Sequence, residues 1–201
     1  MIGNDVVDLG DADSRVAGHH PRFDARVFTA AERELIAASA AGERTRWLLW
    51  AAKESVYKVA RRADARTVFS PPRFPVRLRP GSTATVEAAG GAFDVELRAY
   101  AEHVHAIARS RDAAEVTVHS AVARLALGPG EGTPSAAVRR LTIATLSRRL
   151  AIPERDLALD REGRVPRLWI RGRPSAAVLS LSHHGRFVAF VCGWPDHRWR
   201  A

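Results

Sequence analysis

Residues 50–58 read WAAKESVYK, and this stretch holds both lysines of a 201-residue chain whose other 29 basic residues are arginine. Arginine replaces lysine at little cost on most surfaces. In so arginine-rich a sequence lysine is therefore kept where something resists the change. Trp47, Trp50, Glu54 and Tyr57 fall on one stripe at helical spacing, so a helix is expected from about Glu43 through Arg62. Within it Glu54 and Lys58 stand four residues apart in the favourable order. Such a pair is ordinarily a surface bridge contributing roughly a few tenths of a kcal/mol.

The flanks of this helix are also legible. Upstream, "IGNDVVDL" is a β-branched run with acidic residues, a plausible strand, and Thr29 stands three residues before Glu32 as in a capping box. Downstream, "SPPRFPVRLRPGS" breaks the helix and begins an extended region. "FDVELRAY" alternates Phe93, Val95 and Leu97 with charged residues, the mark of a half-buried strand, and "HVHAIARS" reads as another. The pattern resets near residues 111–115. "EVTVHSAVARLAL" reads as extended, and "GPGEGTP" as a loop. A helix follows from about Ser135, then turn-rich short pieces, and "AVLSLSHHGRFVAFVCGW" as two strands about a tight turn at Gly185. Each half offers a long helix and several strands. The weak likeness of "HVHAIA" (103–108) to "HHGRFVA" (183–189) suggests two related subdomains facing each other, at 1–113 and 114–201.

Composition narrows the class. The chain is long enough to bury a real core, no stretch approaches eighteen apolar residues, and the first residues lack a basic region followed by an apolar run. With Cys192 the only cysteine, no disulfide forms within the chain. A soluble cytoplasmic protein is the expectation. The net charge of +9 attracts nucleic acid, phosphorylated small molecules or an acidic protein. A basic nucleic-acid-binding module explains the charge but not the paired acidic residues, and the chain lacks aromatic-basic strands of the RNA-recognition kind.

Three local patterns carry chemistry: Gly3-Asn4-Asp5, Trp50 to Lys58, and Ser180-Leu181-Ser182-His183. Each alone has an ordinary structural reading. In this order, with "RVFTAAERELI" (26–36) between the first two, they resemble the 4'-phosphopantetheinyl transferase superfamily. Its hallmarks are a G-x-D strand, a W-x-x-K-E-[AS]-x-x-K helix and an [SN]-x-S-H turn. The first half resembles the C-terminal half of the larger, surfactin-synthetase-activating members. Residues from about 135 to 192 resemble their N-terminal half, with "REGRVP" and "SHHGRF" at the matching turns. The halves thus stand in exchanged order, and the motif order coincides with that of the small holo-acyl-carrier-protein synthases.

The resemblance implies an α+β pseudo-dimer of two similar subdomains, each a long helix packed on a small antiparallel sheet, with the ligand between them. It implies transfer of 4'-phosphopantetheine from coenzyme A to a serine of an acidic acyl or peptidyl carrier protein, with release of 3',5'-ADP. Nucleic acid and membrane partners are not implied, and a monomer suffices. Asp5 and Glu54 would hold Mg²⁺ or Mn²⁺, and Asp5, Glu54 and Lys58 form the catalytic set. Ser182, His183, Lys58, Lys53, Arg164 and Arg186 are the residues expected on coenzyme A. Lys53 projects about 100° from Glu54 around the helix, toward the second half or the ligand edge. One departure stands out. Where many two-subdomain members carry a second metal carboxylate, this chain has Val7. Either the site keeps only Asp5 and Glu54 with waters, or a bulge turns Asp8 inward. A member that binds coenzyme A without catalysis is the remaining alternative, and intact Asp5, Glu54 and Lys58 argue against it.

Overall fold

A computed structural model of the chain describes residues 1–15, 20–111, 116–125 and 132–195. The boundary expected at 113–114, most of the "GPGEGTP" loop and the end of the terminal stretch lie outside the described residues. The protein is α+β, with one long helix on antiparallel strands in each half.

The first half is built on a five-stranded antiparallel sheet. Strand β1 (Ile2–Asp8) pairs with β5 (His103–Ser110). The order continues through β4 (Gly91–Ala99) and β3 (Thr83–Ala88) to β2 (Val76–Arg79). In β4, Phe93, Val95 and Leu97 are buried as their alternation requires. Two shorter helices, α1 (Phe23–Val27) and α2 (Ala30–Ala38), lead to the 22-residue α3 (Gly42–Ala63). The capping box at Thr29 and Glu32 is present in full. Helix α3 lays Leu49, Ala52, Val56 and Val59 on one face of the sheet. The approach is close: a Cβ at Gly3 would stand 2.3 Å from the Ser55 carbonyl oxygen, so only glycine lets β1 and α3 meet there.

The second half differs in its sheets. A three-stranded sheet in the order β10 (Val178–His184), β11 (Phe187–Pro195), β6 (Val116–Arg124) carries α4 (Pro134–Leu150) on one face. Thr133 caps that helix and Pro134 opens it, the arrangement that leaves no orphan donor for proline to waste. A separate sheet joins β7 (Leu157–Glu162), β8 (Val165–Ile170) and the short β9 (Arg173–Pro174).

Strand β1 joins the halves. All seven of its residues are buried. Gly3, Asp5 and Val7 turn toward α3, while Ile2, Asn4, Val6 and Asp8 turn toward the second half. Ile2 packs with Ile107 and Val191, and Val6 with Phe187 and Ala189. Among the described residues no backbone ladder links β1 to β10. Side chains replace it: the Asn4 amide donates to Ser180 Oγ at 3.1 Å and the Asp8 amide to His184 Nδ1 at 3.2 Å. Arg62 of α3 adds bonds to the carbonyls of Ile2 and Leu179. An edge that would otherwise be an open template is closed in this way.

Candidate active site

Asp5 and α3 form the centre of the site. Lys58 Nζ donates to Asp5 Oδ1 at 2.8 Å and to the Asn4 carbonyl at 3.0 Å. Glu54 lies one turn before Lys58 on the same helix. Burial raises the Asp5 pKa against the pull of Lys58. Burial also raises that of Glu54; Lys58 opposes the shift and the nearby Asp5 charge adds to it. Two desolvated carboxylates therefore feel the charge of one ammonium, which is bonded to Asp5.

Glu54 and Lys58 line a cleft of about 750 Å³ between the halves, and Asp5 lies behind them, bonded to Lys58. Its near wall is α3, with Glu54, Tyr57, Lys58, Arg61 and Arg62. The far wall is the β7–β8 turn with Arg161 and Arg164, together with Arg139 of α4. Ser180 and Leu181 of β10 line it between them. The concave, arginine-lined form and the size suit a phosphorylated small molecule.

The expected residues divide into three groups. Asp5, Glu54 and Lys58 meet, and Arg164 faces them across the cleft. Ser182 and His183 lie farther along β10. Ser182 is buried and accepts a bond from the Asn4 side chain at 3.0 Å. His183 is exposed, though its ring is partly desolvated; that desolvation lowers its pKa, as do Lys58 and His184, against Asp5.

Lys53 and Arg186, both expected on coenzyme A, have partners within the protein. Lys53 is fully buried on the side of α3 toward α2. There its ammonium binds Glu32 at 2.8 Å and the Pro71 and Phe74 carbonyls at 3.1 Å each. The rotation that separates it from Glu54 turns it into the core, away from the cleft. Arg186 is committed to Asp8 through Nε and Nη2 at 2.8 and 2.7 Å, and reaches Glu102 as well. Asp8 also accepts the Arg186 and Gly10 amides. The β1–β5 register runs unbroken to the pair Asp8–His103, so no bulge turns Asp8 toward Asp5.

Among the described residues no group of three or more His, Cys, Asp or Glu side chains is placed to hold a metal ion. Protein ligands for a cation at this site reduce to Asp5 and Glu54. Their hard oxygens and unbalanced negative charge fit a small divalent cation that keeps several waters.

Residues 1–115 match the family model of the 4'-phosphopantetheinyl transferase superfamily. The chain belongs to that superfamily. No curated protein matches it significantly. The match spans Asp5, Glu54 and Lys58 and ends before the second half, so phosphopantetheinyl transfer is the general chemistry of the side where these carboxylates stand. In a transferase of this kind the second half supplies the opposite wall.

Sequence reasoning passed over several residues of this transferase site. Asn4 occupies the variable place of the G-x-D pattern, Arg61 follows the helix motif by one turn, and Ser180 was only a motif letter. The signal for Arg61 was available: positions 54, 57, 58 and 61 share one helical face. Ser180 could have been read from strand alternation with Ser182.

Proposed function

We propose that the protein transfers 4'-phosphopantetheine from coenzyme A to a serine hydroxyl of an apo carrier protein, releasing 3',5'-ADP. The observation that carries this reading is the pair of desolvated carboxylates, Asp5 and Glu54, beside one lysine at the wall of an arginine-lined cleft.

Asp5 and Glu54 would hold Mg²⁺, which neutralises charge on the pyrophosphate when bound. Glu54 accepts the proton of the carrier serine. Burial raises its pKa, which makes it a stronger base than an exposed carboxylate. The serine oxygen forms its bond to the β-phosphorus as the bond from that phosphorus to the 3',5'-ADP oxygen breaks. Lys58 lies within reach of the same region and supplies fixed positive charge to the phosphates, as do Arg164 and Arg61 from the two walls. Ser182 and His183 take the 3'-phosphate of the adenosine end. The acidic surface common among carrier proteins is drawn to a chain of net charge +9.

The test is mass spectrometry of apo acyl and peptidyl carrier proteins incubated with the protein, coenzyme A and Mg²⁺. A gain of one phosphopantetheine arm on the carrier serine is expected. No gain on any carrier, together with no binding of coenzyme A, overturns the reading.

A further inference from the structure

Asn4 is fully buried at the junction of the halves, and nearly every polar group around it belongs to the site. Its backbone N–H donates to Ser180 Oγ at 3.1 Å and its carbonyl accepts from Lys58 at 3.0 Å. Its side-chain Nδ2 donates to Ser182 Oγ at 3.0 Å and to His105 Nε2 at 3.2 Å. His105 is fully buried and neutral at ordinary pH, since burial above all pulls its pKa down to about 3. As the acceptor of the Asn4 amide at Nε2, the neutral ring carries its one proton on Nδ1, which has no partner among the described residues.

The Asn4 amide is oriented with Nδ2 toward Ser182 and His105. Both Nδ2 hydrogens then have partners, while Asn4 Oδ1 and His105 Nδ1 have none among the described residues. Turned over, the amide would aim both its N–H donors at the place where Oδ1 finds no partner.

This orientation has a consequence for the serines. A hydroxyl has one proton to donate. Ser180 and Ser182 each accept a bond from Asn4, and among the described residues neither has an acceptor for its own hydrogen. Both are buried. A buried hydroxyl proton without a partner is a cost that an oxygen of a bound anion would remove.

We infer that Asn4 is a positioning residue: by donating to Ser182 it directs the Ser182 hydroxyl proton away from the protein and toward an oxygen of the 3'-phosphate. The inference rests on the reading that Ser182 and His183 take that phosphate. Asn4 touches no substrate itself. The selectivity it confers passes through the serine.

The experiment measures, by isothermal titration calorimetry in one Mg²⁺ buffer, the affinity of the full chain for coenzyme A and for dephospho-coenzyme A, which lacks the 3'-phosphate. Wild type is expected to prefer coenzyme A. Asn4→Val, which retains both backbone bonds, should reduce that preference by about 10-fold, the scale of one hydrogen bond to a charged group, while affinity for dephospho-coenzyme A stays near wild type. In a Ser182→Ala background, Asn4→Val should produce no further loss, since the two act as one unit. If Asn4→Val does not fold, Asn4→Ala carries the same comparison.

The failures separate. Wild type that binds neither ligand defeats the transferase reading. Wild type that binds both equally removes the 3'-phosphate from these residues and the inference with it. A wild-type preference that survives in Asn4→Val, or full additivity with Ser182→Ala, overturns the role of Asn4 alone.

Discussion

Helix α3 carries two lysine–carboxylate pairs, five residues apart and each closed at 2.8 Å, that have opposite characters. Lys53 and Glu32 are saturated. Every ammonium hydrogen has an acceptor, and Glu32 also takes the amides of Thr29 and Val76 at 2.7 Å. Lys58 and Asp5 are not saturated. The charge of a second carboxylate, Glu54, acts on the same ammonium, and the cleft lies open beside Glu54 and Lys58. A buried pair that satisfies all its bonds fixes one arrangement of three chain segments. A pair left short of positive charge is ready for a ligand.

The sharpest way to break this contrast is to remove each member. Lys53→Met leaves the Glu32 carboxylate buried without its cation, so a loss of about 3–5 kcal/mol in stability is expected by urea unfolding. Turnover per folded molecule should remain. Lost turnover at unchanged stability would move Lys53 back to the ligand.

Glu54→Gln is the complement. Turnover should fall by roughly 100-fold or more, the scale of a lost acid–base group, with no loss of stability. Near-normal turnover would remove Glu54 from the mechanism. Smaller still, His183→Ala should weaken coenzyme A binding by about 10-fold, as for one bond to a charged group, and slow the chemical step less. A change in turnover alone would dismiss its phosphate role.

The two lysines also show how far the sequence could be read. The α3 stripe, the Thr29–Glu32 capping box and the alternation of β4 are local patterns, and each appears as expected because its partners lie within a few residues. Asp5, Glu54 and Lys58, from two of the three motifs, lie near one another. The fate of Lys53 was not local. It depends on Glu32, 21 residues away, and on two carbonyls of the segment at 71–74 that no periodicity announces. Arg186 likewise has a distant partner: Asp8 is separated by 178 residues, and only the packing of the β10–β11 turn on β1 brings them together. That packing is tight enough that a Cβ at Gly185, at φ +50°, would stand 2.6 Å from an Asp8 oxygen.

The smallest expected effect is also the most discriminating, because the saturated and unsaturated carboxylates should respond to pH with opposite sign. Asp8 resembles Glu32 in being fully bonded: burial would raise its pKa, but the hydrogen bonds from Arg186 and Gly10 outweigh that and lower it. The folded protein then releases this proton more readily than the unfolded chain does. The stabilisation is complete above the unfolded value of about 3.9 and fades as the pH falls toward the folded one. Glu54 is the reverse. Burial raises its pKa, so its contribution is favourable below the unfolded value of about 4.3 and is lost as the pH rises through the folded one. In metal-free buffer the melting point of Asp8→Asn should therefore lie below wild type by a constant amount above about pH 4, and the deficit should shrink on further acidification. Glu54→Gln should match wild type near about pH 4 and gain on it as the pH rises, by about 2–4 °C for each kcal/mol relieved in a chain of this size. Melting curves that move the same way for both variants would end the distinction between a carboxylate fixed for structure and one held in reserve for a ligand.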